Sequence, residues 1–139
     1  MKKEIIIDAE GTAVGRIGSF VSKQLLLGNK VLVINAEKSI ITGNPKTTLA
    51  MFIRRKNLGG TAQKGPYYPM NPERLLKRMI RGMLPWKNSP RGREAFKRLK
   101  CYISVPEELK DKKAISFKVP ISTKKITLKE LTDLIRGSR

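Results

Sequence analysis

EIIIDAEGTAVGRIGSFVSKQLLLGNKVLVIN, residues 4–35, decides the fold. Glu4 to Asp8 places three consecutive isoleucines in a run too short for a helix, which reads as a strand buried on both faces. Gly11 to Gly15 turn the chain. Val14, Ile17, Val21 and Leu25 then keep helical spacing, so a helix is predicted from Val14 to Leu27, closed by Gly28 and Asn29. Lys30 to Asn35 (KVLVIN) is a second buried strand. Strand, helix and strand within about 30 residues make a βαβ unit, whose strands are parallel and whose crossover is right-handed. The fold class is therefore α/β.

Outward from this unit, Ile40 and Ile41 add a short strand ending at Gly43. Asn44-Pro45 supplies an N-cap and a first-turn proline for a helix from Lys46 to Lys56, with Leu49, Phe52 and Ile53 on its buried face. A loop follows from Asn57 to Met70, rich in glycine and proline and carrying Lys64, Tyr67 and Tyr68. Its adjacent tyrosines suit either stacking on bases or packing against the domain. Asn71 and Pro72 open the next helix. In it Arg74, Lys77, Arg78 and Arg81 share one side, while Leu75, Leu76, Met79, Ile80 and Met83 fall on the opposite arc. Gly82 is expected to end it in the left-handed conformation, and Pro85 blocks continuation. Ser89-Pro90 caps a further helix running through Leu99, with Ala95, Phe96 and Leu99 apolar. Cys101 to Val105 reads as a strand, with Cys101 as a small core residue. Pro106 to Lys113 is a polar helix or turn, and Ala114 to Pro120 is extended. Thr127 to Glu130 is a capping-box pattern opening a last helix, striped by Leu128, Leu131, Leu134 and Ile135.

The chain has 139 residues, 40% of them hydrophobic, with a net charge of +19. This length suits one domain over residues 1–139. The charge is uneven: residues 1–45 carry +2, residues 46–100 carry +13, and residues 101–139 carry +4. A cation block of this kind costs self-repulsion, which binding a polyanion with counterion release would offset. A solvated charged face normally mixes signs, and Arg74 to Lys100 holds ten bases against Glu94 alone. A basic amphipathic helix also suits a membrane surface or a calmodulin-like partner, but the turn and second basic segment that follow fit those less well.

Enzyme readings find little support. The chain has no histidine and one cysteine, Cys101, which removes the commonest general base and metal ligand and any internal disulfide. Gly11, Gly15 and Gly18 follow a strand as in a dinucleotide site, but their spacing is G-x-x-x-G-x-x-G and no acidic residue closes the second strand. Gly43 to Thr48 (GNPKTT) lacks the second glycine of a phosphate loop. Asp8 and Glu10 form a carboxylate pair better suited to a turn. A nucleotide-dependent α/β enzyme remains the alternative from another class, and a free regulatory RNA-binding protein is a third reading. No apolar run approaches the roughly 18 residues of a membrane span, and no signal peptide is seen, so a cytoplasmic, soluble protein is expected.

Five segments resemble one family: IDAEGTAVGRIGS (7–19), VLVINAEKSIITGN (31–44), KGPYYPMNPERLLKRMIRG (64–82), IRGMLPWK (80–87) and PRGREAFKRLKCY (90–102). They resemble the thirteenth protein of the large ribosomal subunit in its archaeal form, over nearly all of residues 4–106. Segment 107–139 is less diagnostic. The resemblance implies a three-layer α/β/α sandwich with a mostly parallel four-stranded sheet and basic helical and loop extensions. It implies a structural, non-catalytic protein that binds large-subunit rRNA, supports its assembly, and meets neighbouring large-subunit proteins, with no cofactor, metal, membrane or small-molecule substrate. The family's RNA-facing side falls here on Lys64, Tyr67, Arg74, Arg78, Arg81, Lys87, Arg91 and Arg93. We extend the expected set to Lys77 on the same helix, Lys97 in the second basic segment, and Lys46, Arg54, Arg55 and Lys56 on the preceding helix. Ser104 stands where the family is expected to have glycine, which predicts a different strand exit because serine resists positive φ. Trp86 would pack its turn or stack on a base.

Overall fold

β1, Glu4–Asp8, and β2, Lys30–Ile34, pair in parallel, with Glu4 opposite Lys30 and Asp8 opposite Ile34. A computed structural model describes residues 3–58, 68–117 and 119–137. β4, Leu99–Cys101, adds in parallel to the free side of β2, and β5, Ile115–Ser116, to the free side of β1. The sheet order is therefore β4-β2-β1-β5, with all strands parallel. A separate two-stranded sheet joins β3, Ile40–Thr42, to β6, Lys125–Thr127, in antiparallel register.

The period of two along the strands explains the isoleucine run. Ile7, Val31 and Val33 enter the main core, while Ile6, Leu32 and Ile34 enter a second cluster on the other face. The layers are unequal. The main core is roofed by residues of five helices: α1 (Val14–Leu26), α2 (Pro45–Lys56), α3 (Pro72–Arg81), α4 (Pro90–Lys97) and α5 (Leu128–Gly137). The other face is covered by Leu109 of the 3-10 helix Glu107–Leu109 with Tyr102, Val105 and Ala114 beside it. The expected α/β sandwich with its parallel four-stranded sheet is found.

The predicted stripe of α1 is buried throughout: Val14, Ile17, Val21 and Leu25 are all in the core. Asn44 and Ser89 cap as expected, their side chains accepting from the N–H groups of Lys46 (3.0 Å) and Arg91 (3.2 Å). Thr127 Oγ1 accepts from the N–H of Glu130 at 3.3 Å.

Several expectations are corrected. Asn71 occupies the N-cap position of α3 without capping it; its Oδ1 accepts from Arg136 of α5 instead. Gly82 closes α3 in the right-handed region, at φ −63, because the N–H groups of Met83 and Leu84 continue to bond back to Ile80 and Arg81. Met83 and Leu134 are exposed rather than part of their apolar stripes, and Thr132 fills the buried position on α5. α4 stops at Lys97 and Leu99 begins β4, so the strand starts two residues early and is shorter than predicted. Ser104 does take positive φ (56°), held there by Glu37, a buried carboxylate that accepts from its N–H and its hydroxyl.

Candidate nucleic-acid interface

α3 is anchored by Leu75, Leu76 and Ile80, each at most 2% exposed. Its other side carries the predicted cations, of which Arg74 is exposed and Lys77, Arg78 and Arg81 are half-buried. The half-burial has a cause the helical spacing does not show. Three of the four lie over aromatic rings. Lys77 Nζ is 4.8 Å from the Phe96 ring centroid, and the Arg78 guanidinium is 4.1 Å from that of Tyr68. The Arg81 guanidinium is 5.2 Å from that of Trp86. Arg55 of α2 joins the same row, 5.9 Å from Tyr68 and 5.5 Å from Phe52. The rings brace one another, since Trp86 meets Phe96 edge-on at 5.0 Å. Trp86 thus packs its own turn and also carries a cation.

Three adjoining hollows run along this row. One of about 300 Å³ lies among Arg55, Tyr68, Arg78 and Arg81. A second, of about 220 Å³, lies among Arg74, Lys77, Arg78, Arg81 and Phe96. The third, of about 350 Å³, runs from Arg81 through Pro85 and Trp86 to Lys87. Arg81 borders all three. A cation held over a ring is attracted by the negative face of the ring and keeps its charge for a phosphate. The contact also removes rotamer freedom in advance, so less is lost when a polyanion arrives.

The Ribosomal protein L13 family model matches residues 2–108. The chain belongs to the ribosomal protein L13 family. It is 43% identical over 133 residues to the large ribosomal subunit protein uL13 of Archaeoglobus fulgidus, covering 91% of this chain and 84% of that one. It is 49% identical over 112 residues to the uL13 of Methanosarcina barkeri, covering 80% and 79%. It is 42% identical over 130 residues to the uL13 of Methanocaldococcus jannaschii, covering 91% and 93%.

Within this L13 chain, the predicted site residues divide. Arg55, Arg74, Lys77, Arg78, Arg81 and Lys87 border the three hollows. Lys46 and Arg54 are exposed on α2 but border none of them. Lys56, Arg91 and Arg93 bond to the protein itself: Lys56 Nζ donates to the Ile135 carbonyl (3.2 Å), Arg91 Nη2 to that of Leu26 (3.1 Å), and Arg93 Nε to that of Trp86 (3.3 Å). Lys97 borders a different hollow, at the start of the sheet. Lys64 and Tyr67 lie outside the described residues. Sequence reasoning missed the shelf made by Tyr68, Trp86 and Phe96. These residues come from three segments with no common spacing, so periodicity carries no signal for it.

Two of the three glycines that suggested a nucleotide site, Gly11 and Gly18, have structural work. A Cβ on Gly18 would sit 2.5 Å from Met83 Sδ, and Gly11 takes φ 66° in the turn. The Asp8 carboxylate accepts from the Glu10 N–H and from Asn35 Nδ2, both at 3.0 Å. Among the described residues no group of three or more His, Cys, Asp or Glu could hold a metal. No helix among them is long and apolar enough to cross a membrane.

Proposed function

We propose that this chain is a structural constituent of the large ribosomal subunit that binds large-subunit rRNA and supports its folding. The observation that carries the reading is the row of cations set on Tyr68, Phe96 and Trp86 along hollows that share Arg81. Phosphate contacts supply affinity there, and the shape of the folded RNA supplies selectivity. The rings hold the cations at fixed spacing, so RNA that presents phosphates at that spacing binds without reordering the side chains.

The relatives are named as large ribosomal subunit proteins, which supports a place in that particle, in the cytoplasm, beside other large-subunit proteins. The role is one of positioning and needs no reaction or cofactor. The segment after residue 107 belongs to the same domain in this reading, since β5 extends the main sheet, β6 pairs β3, and α5 packs on α2 and α3.

Sedimentation of a cell lysate before and after a high-salt wash tests this. Retention with the large subunit through the wash is expected. Recovery only as free protein overturns the proposal. In binding to purified rRNA, affinity is expected to fall steeply with salt, and a flat dependence would equally count against it.

A further inference from the structure

The start of the parallel sheet carries a second concentration of positive charge. A hollow of about 490 Å³ is bordered by Lys3, Glu4, Lys30, Lys97, Arg98 and Lys100. It shares no lining residue with the three hollows along α3. Sheet register assembles it. Glu4 lies opposite Lys30, and the N–H of Lys30 donates to the Lys3 carbonyl at 2.9 Å. The N–H of Val31 donates to the Arg98 carbonyl at 3.2 Å. Three strands therefore begin side by side with a cation at each start, and parallel strands stand only about 4.8 Å apart.

The one acid here is directed elsewhere: Glu4 pairs with Lys112 at 3.5 Å. The nearby end of α1 could have explained cations through its dipole, but that role is filled. Arg98 Nη2 donates to the Leu25 carbonyl at 2.6 Å, and Arg91 covers the Leu26 carbonyl. Lys30, Lys97 and Lys100 are exposed, and their ammonium groups have no partner among the described residues. Crowding them costs free energy that folding does not recover here, whereas a polyanion would recover it.

We propose that this hollow is a second RNA site, taking the phosphate backbone of an rRNA segment different from the one held along α3. The protein then clamps two RNA segments. This rests on the rRNA-binding reading above. The site has lysines and no aromatic shelf, so it takes phosphates as point charges and follows the backbone without engaging bases.

Two single-cysteine attachment points test it. Lys30→Cys and Arg74→Cys proteins, each made with Cys101→Ala so that one thiol remains, would each carry a photo-cross-linker on the introduced thiol and be bound to full-length large-subunit rRNA. Cross-linked nucleotides are then read by primer extension. The expected result is cross-links from both positions, to two stretches with no nucleotide in common. Cross-links from Arg74→Cys alone, or from both to one stretch, overturn the second site and leave the α3 reading standing. Cross-links from neither overturn both. A triple Lys30→Glu, Lys97→Glu, Lys100→Glu protein with unchanged circular dichroism is expected to lose roughly 2–3 from the slope of log affinity against log salt. An unchanged slope would sink the proposal on its own.

Discussion

Both carboxylate oxygens of Glu37 accept from the backbone N–H of Ser104, at 3.2 and 3.1 Å, and the Ser104 hydroxyl reaches the same group at 3.4 Å. Ser104 sits at φ 56°, in a region that costs a non-glycine residue roughly 1–2 kcal/mol. A hydrogen bond to a carboxylate contributes about 1.5–3 kcal/mol, enough to offset that strain. The Ser104 carbonyl also accepts from the Asn35 N–H at 3.1 Å, which ties the exit of β4 to the exit of β2.

Glu37→Ala should therefore destabilise the protein by about 1–2 kcal/mol, because it removes a part-buried, charge-assisted hydrogen bond and leaves the strain uncompensated. Glu37→Gln keeps one acceptor oxygen and should lose less. Denaturant melts of the three proteins check this. Equal stability of Glu37→Ala and the parent would show that Ser104 holds its conformation without the carboxylate.

Two glycines that look alike in the sequence should respond in different ways. A Cβ on Gly92 would lie 2.4 Å from the Pro85 carbonyl oxygen and 2.5 Å from its carbon, both backbone atoms. Gly92→Ala must push α4 off the turn before it, at about 1–3 kcal/mol. A Cβ on Gly18 meets Met83 Sδ and Cε, the far end of a flexible and exposed side chain. Met83 can swing out, and α1 gains up to about 1 kcal/mol of helix propensity. Gly18→Ala should thus fall within about 1 kcal/mol of the parent. Thermal melts that ranked the two variants the other way would contradict this packing.

The shelf beneath the α3 cations predicts an effect from a residue that carries no charge. Tyr68→Ala removes the ring 4.1 Å from the Arg78 guanidinium. The cation keeps its charge but loses the ring that helps to position it, a loss of about 0.5–2 kcal/mol or roughly 2- to 30-fold in RNA affinity. The salt slope should stay unchanged, because every phosphate keeps its cation. Arg78→Glu with Arg81→Glu should instead flatten the slope by about 1 for each phosphate that is no longer neutralised. A Tyr68→Ala protein that binds RNA like the parent would show the ring to be packing only.

Most of the frame was legible because its signals are local. The isoleucine run, the α1 stripe and the Asn-Pro and Ser-Pro pairs fixed β1, α1 and β2 and the starts of α2 and α4 within a residue. What was not legible depends on partners distant in sequence. Leu99 satisfies a helical spacing with Ala95 and Phe96, yet it pairs with Val31 and belongs to β4. β5 has two residues and β6 three, too few to show any period. Ser104 reads as a misfit until Glu37, 67 residues away, is placed against it. The basic face of α3 was readable from spacing alone, whereas the rings beneath it come from the end of a loop, a turn and another helix. Lys97 joined the expected set only as part of the second basic segment, and it borders the hollow at the start of the sheet.

Cys101 offers a probe of the core that needs no RNA. It packs against the main cluster at the end of β4, and burial pushes its thiol pKa up from about 9 to about 12, with Lys77 lowering it slightly and Glu73 raising it. The neutral thiol is thus the form the folded protein prefers. Below pH 9 both folded and unfolded chains hold the proton, so the group leaves stability independent of pH. Between pH 9 and 12 only the unfolded chain releases it, and stability should fall by up to about 1.4 kcal/mol per pH unit from this group. Lysines and tyrosines titrate in the same range, so the quantity to measure is the difference in slope between the parent and Cys101→Ala. The parent should be the steeper of the two. The thiolate is the nucleophile, so alkylation of the folded protein at pH 8 should be much slower than in denaturant. Rapid alkylation under native conditions would mean that the thiol reaches solvent and that β4 opens at its end.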